Sequence, residues 1–136
     1  MFKKLTIALL SICLIINIAI FNNQPIFSQF NNKFEVYLSN LSDGQIVFAD
    51  SKTYPFISGI YGESVTINKE DFALQDFLSN MQAKIIFTEQ IDEGISYYAY
   101  SPKIKYRTKI KNKIINLQIF VGKGVKVGSP IIFGSF

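Results

Sequence analysis

Histidine and tryptophan are missing from this sequence altogether, and cysteine occurs once, as Cys13. Without imidazole, the commonest general base and metal ligand is gone. With a single thiol, no disulfide can close within the chain. Ser–His and Cys–His catalysis and His- or Cys-ligated metal centres are thereby excluded, and no cofactor is expected. Acid is absent from both ends: no Asp or Glu precedes Glu35 and none follows Glu93. The net charge of +4 therefore hides a division. Residues 29–102 hold all ten acids against four bases, whereas residues 103–136 hold eight bases and no acid. Disorder is excluded for most of the chain by a hydrophobic share of 49%, and 136 residues suffice for one ordinary core.

The chain begins with a short positive head, Lys3 and Lys4, followed by an apolar run over residues 5–21 broken only by Thr6, Ser11 and Asn17. A basic head before an apolar run is the pattern of an export signal. Seventeen residues also approach the length of about 20 that a spanning helix needs. The segment is expected to be a signal peptide or, uncleaved, a membrane anchor through residues 5–21. The best cleavage site is Ile26-Phe27-Ser28 before Gln29, with Pro25 breaking the helix upstream. Leu10-Ser11-Ile12 before Cys13 superficially resembles a lipoprotein box, but bulky Ile12 argues against lipid attachment. The rival reading is a buried helix of a cytosolic fold. The expected organisation is signal or anchor at 1–28, linker at 29–33 and one domain at 34–136.

Within the domain, residues 34–38 and 45–49 alternate as strands around Ser39-Asn40-Leu41-Ser42-Asp43-Gly44, which predicts a hairpin. Pro55, Gly59 and Gly62 make the next stretch irregular, with a short strand at 56–61, and residues 65–67 lead as a strand into a helix. Asn68 can cap that helix, and Leu74, Phe77, Leu78 and Met81 form one apolar face, which predicts a helix over 69–82. Strands follow at 84–89, 95–100, 103–111, 114–121 and 125–133. Pro130 points to an edge or a bulge in the last of these, and Phe133 and Phe136 to anchors for the tail. The fold class is α+β: one helix on a face of a curved, mainly antiparallel sheet of about five strands, preceded by a hairpin and the hydrophobic segment. In element order this resembles TATA-box-binding-like and cystatin-like folds. The resemblance implies a fold and no function.

The most pronounced pattern is Lys-Ile-Lys-Tyr-Arg-Thr-Lys-Ile-Lys-Asn-Lys at 103–113, with a base at every odd position. As one strand it would turn Ile104, Tyr106, Thr108 and Ile110 inward. Lys103, Lys105, Arg107, Lys109 and Lys111 would stand outward in a row. Neighbouring cations about 7 Å apart repel by roughly 0.5 kcal/mol before screening. An extended anion would relieve that repulsion: anionic lipid headgroups, a cell-wall polymer, or a nucleic-acid backbone if the chain were not exported. The bland alternative is a solvated edge whose lysines block aggregation, or pairing with the acidic half.

Weaker constellations are Tyr97, Tyr98 and Tyr100 with Tyr61 and Tyr106 as a stacking platform, and Glu70–Asp71 or Asp92–Glu93 as a carboxylate pair. Strand aromatics are more often core, and the acidic pairs suit a helix start and a turn. Asn40-Leu41-Ser42 has the form of a sugar-acceptor triplet. The expected function is a small exported or membrane-anchored, non-enzymatic envelope protein. It would contact an anionic surface or a partner protein through the five basic residues. The alternatives are a cytosolic nucleic-acid-binding protein with a buried N-terminal helix and, more weakly, a carboxylate-dependent hydrolase of wall sugars.

Overall fold

The computed structural model describes residues 1–38 and 45–133. The turn expected at 39–44, its sugar-acceptor triplet and the anchor expected at Phe136 lie outside the described residues. The chain starts with helix α1 (Phe2–Asn22). Strands β1 (Lys33–Tyr37) and β2 (Ile46–Asp50) follow, then a 3-10 turn at Tyr54–Phe56 and strand β3 (Gly62–Ile67). Next come a second 3-10 turn at Lys69–Asp71 and helix α2 (Leu74–Met81). The remaining elements are strands β4 (Lys84–Ile91), β5 (Gly94–Tyr100), β6 (Thr108–Ile110), β7 (Lys113–Ile115), β8 (Leu117–Val121) and β9 (Val125–Ser129).

Seven strands form one antiparallel sheet in the order β2-β1-β3-β9-β8-β5-β4, while β6 and β7 form a separate hairpin. The α+β class is as the sequence indicates, with more strands than the five expected. Alternation sends Phe34, Val36, Val65, Ile67, Leu117, Ile119, Val125 and Val127 to one face, where they are buried with Phe77, Leu78 and Met81 of α2. The apolar face read from the i, i+3, i+4, i+7 spacing is therefore the face that packs.

The helix is shorter than the 69–82 expected. Asn68 accepts from the Glu70 backbone N–H and caps only a 3-10 turn. Phe72 and Ala73 then run extended, and the Phe72 ring settles 5.6 Å from that of Phe77. The helix ends at Gln82 in the left-handed region, where the N–H groups of Gln82 and Ala83 reach back to Ser79 and Leu78.

Three further expectations are corrected. Residues 56–61 hold no strand: Phe56 closes the 3-10 turn, and residues 57–61 run irregularly, with Gly59 at positive φ, into β3. Strand β9 is neither an edge nor bulged; it is central between β3 and β8, and Pro130 stands just past its end. There the chain folds back over the sheet's second face, so that Ile132 N–H donates to Gln118 Oε1 at 2.9 Å and Phe133 meets Tyr37 edge-on at 5.1 Å. Gly128 admits this return, since a Cβ there would lie 2.7 Å from Ile132.

The expected linker at 29–33, and the end of the expected signal or anchor just before it, are bound to the domain. Phe27 is 0% exposed within the core, and the Phe30 ring lies 4.8 Å from Phe77. Asn31 Nδ2 donates to Thr66 O at 2.8 Å. By contrast, every described side chain of α1 except Ile20 is exposed. The 20 residues Phe2–Phe21, with a mean hydropathy of 2.3 over their most apolar 18, are long and apolar enough to cross a membrane, as a signal or as an anchor. The buried N-terminal helix of the cytosolic alternative is not formed.

Candidate functional site

The basic stretch is not one strand. Pro102 has no N–H to give a ladder, and the residues around it are claimed by Asn116. The Asn116 amide donates to Ser101 O at 2.6 Å and Ile104 O at 3.2 Å, and its Oδ1 accepts from Ser101 N–H at 2.7 Å. This fastening puts a break between β7 and β8, where one strand over 114–121 was expected, and keeps residues 101–107 out of any ladder. Only Thr108–Ile110 pairs, with Lys113–Ile115, around Lys111 and Asn112. Both turn residues have positive φ, 49° and 65°, as the right-handed twist of a two-residue hairpin requires.

The in–out alternation nevertheless survives. Ile104 is buried and Tyr106, Thr108 and Ile110 are half-buried, while Lys103, Lys105, Arg107, Lys109 and Lys111 are all exposed. Their surroundings differ. Lys103 Nζ donates to Asn80 O at 2.7 Å, and Ser101 Oγ donates to Met81 O, so both satisfy carbonyls at the negative end of α2. Arg107 lies 5.6 Å from the centre of the Tyr100 ring. Lys111 pairs with Glu89, holding that carboxyl below its ordinary range, and sits 5.0 Å from the Phe87 ring, with Lys113 at 5.9 Å. The row is thus divided. Lys103 and Lys105 border a shallow hollow of about 310 Å³ beside Gln24 and Gln29. Lys111 and Lys113 flank Phe87, which stacks on Tyr98 at 4.5 Å.

Lys105 also borders a second hollow, of about 390 Å³, lined in addition by Ala19, Asn23, Phe56 and Tyr106. This is the root of α1. Asn23 Nδ2 lies within hydrogen-bond distance of the carbonyls of Pro55 (2.9 Å), Ile57 (3.1 Å) and Tyr54 (3.4 Å). Behind it, Glu63 is fully buried on the inward register of β3, shared with Val65 and Ile67. Its Oε1 accepts from the Ile26 and Phe27 N–H groups, the latter at 3.2 Å. Oε2 lacks a close hydrogen-bond partner, although the Tyr54 hydroxyl is near enough to favour the charged form.

Burial pushes the Glu63 carboxyl up to about 7, against the opposing pull of Tyr54, the two N–H groups and Lys105. Burial likewise raises the Tyr54 phenol, helped by the Glu63 charge, and raises Tyr106. Sequence reading missed this group, although its signal was present: one carboxylate in period-two register with two aliphatic residues.

The other candidate residues fall apart from one another. Glu70 and Asp71 are exposed in the 3-10 turn after Asn68, and Asp92 and Glu93 form the β4–β5 turn, where Glu93 pairs with Lys123 at 2.7 Å. Tyr97 packs against the core and Tyr98 is buried, while Tyr61 is exposed. The basic residues gather at two separate places, at the hollows lined by Lys103 and Lys105 and beside Phe87. Comparison with family models, with curated proteins and with solved structures finds no match to this chain.

Proposed function

We propose that the chain is a membrane-anchored, non-enzymatic envelope protein whose domain lies outside the cytoplasmic membrane and contacts an anionic surface through its basic residues. The observation that carries the reading is the contrast at residue 23. Before it, the apolar helix is unburied. After it, Asn23, Ile26, Phe27 and Asn31 are bonded or packed into the domain. Cleavage before Gln29 would remove Phe27 from the core and two donors from a buried carboxyl, so retention of the helix as an anchor is favoured. Lys3 and Lys4 ahead of the apolar run favour a cytoplasmic start and an exported domain.

Expression of the full chain in a bacterial host, followed by fractionation and mass measurement, tests the anchor. The chain is expected in the membrane fraction after alkaline washing, with residues 1–28 intact. A soluble species beginning at Gln29 would refute it. For the anionic surface, replacing Lys103, Lys105, Arg107, Lys109 and Lys111 with Gln is expected to abolish the salt-sensitive association of the detergent-solubilised chain with anionic vesicles. Undiminished association at low salt would remove that role.

A further inference from the structure

We propose that the face of the domain around the root of α1 lies on the same bilayer that holds α1. There it would bind anionic phospholipid headgroups, with Lys105 and Lys103 as the cationic contacts and Phe56 as the inserted ring. The inference rests on α1 being a retained anchor. The apolar run over residues 5–21, about 25 Å long at 1.5 Å per residue, ends where polar Asn22 and Asn23 begin, which places the edge of the hydrocarbon layer near Phe21. Ala19, just inside that edge, lines the same hollow as Phe56 and Lys105, which sets both at headgroup depth. The Asn23 bonds to the Tyr54, Pro55 and Ile57 carbonyls hold the 3-10 turn against the end of the helix at that level.

The composition of this face suits the position. Phe56 is 74% exposed, although Tyr54, two residues earlier in the same turn, is buried. An aromatic ring held out beside a spanning helix matches the belt found at membrane–water boundaries. Neither hollow is lined by an Asp or Glu side chain: around Lys103 and Lys105 stand Gln24, Gln29 and Asn80. The lysines can therefore face headgroup phosphates without a competing carboxylate on the surface. Lys111 and Lys113, engaged at Phe87, are not needed for this contact.

The absence of tryptophan supplies a clean reporter. The full chain carrying Phe56→Trp is placed in lipid nanodiscs containing bromine-labelled phosphatidylcholine, with or without phosphatidylglycerol, and Phe48→Trp, at the exposed ring of outer strand β2, is the control. The Phe56→Trp emission is expected to shift to the blue and be quenched, more so with phosphatidylglycerol, while Phe48→Trp stays unquenched. Each of Lys103→Gln and Lys105→Gln is expected to lower the docked-to-undocked ratio roughly fivefold in anionic discs. A chain that enters the discs but leaves both reporters equally unquenched overturns this inference and spares the anchor. Quenching that ignores phosphatidylglycerol and both lysines overturns the headgroup role. Loss of soluble polyphosphate binding in those variants, without any change in discs, would assign the lysines to a soluble polyanion instead. A chain that fails to enter discs overturns the anchor and the inference together.

Discussion

Glu63 is a carboxyl fully buried beneath the end of α1. Its folded pKa is about 7 against an ordinary 4.5, with burial as the main cause. A raised folded value means that protonation favours the native state, so the group's contribution is fully present below pH 4.5 and is lost as pH rises towards 7. The loss amounts to roughly 3 kcal/mol over that window. Denaturation of the detergent-solubilised chain at pH 5 and pH 8 should show this fall, and Glu63→Gln should remove most of it; an unchanged pH slope would mean that Glu63 is not the responsible group. At the same scale, Gly128→Ala is expected to destabilise by about 1–3 kcal/mol, because the new methyl meets the returning tail at Ile132. Thermal unfolding midpoints would measure it. The sequence signal at both residues is faint: Glu63 shares its period-two register with Val65 and Ile67, and Gly128 acquires its meaning from the tail that folds over it.

At the scale of elements, local patterns were legible and their interruptions were not. The apolar spacing of α2, the hairpin of β4 and β5 and the burial alternation from Ile104 to Ile110 follow from periodicity, which depends only on near neighbours. The division of residues 103–121 could not be read that way, since it depends on Asn116 reaching Ser101, 15 residues back. In the sequence Asn116 passes for an outward polar residue of a strand; in the fold it is fully buried. Likewise Pro130 reads locally as an edge or a bulge within a strand over 125–133, whereas β9 stops at Ser129 and is central, which nothing local says. Asn116→Ala is expected to cost about 3 kcal/mol, through two orphaned carbonyls and an orphaned N–H. Hydrogen exchange should then quicken in residues 101–107 before it does in β3 or β9. Uniform exchange across the chain would show that Asn116 does not hold this segment.

For the whole molecule, the sequence conveyed the α+β class, the apolar helix and the charge division, but not the packing of Asn23, Phe27 and Asn31 on the domain. Residues 22–33, divided in the sequence between the end of the expected signal or anchor and the expected linker, hold few apolar residues without any period, and Phe27 is buried through tertiary contacts alone. Two truncated chains separate the readings. One starting at Asn23 should keep the stability of the domain. One starting at Gln29 should lose about 3–5 kcal/mol from Phe27 alone, with a matching drop in urea midpoint. Equal midpoints would show that residues 23–28 are dispensable. The fastening of Asn23, Phe27 and Asn31 also governs how the protein moves. With no slack leash between them, helix and globule must turn as one body: a few degrees of helix tilt become a swing of several ångströms at the far strands, and any pairing of helices would dictate which sides of two globules look at each other.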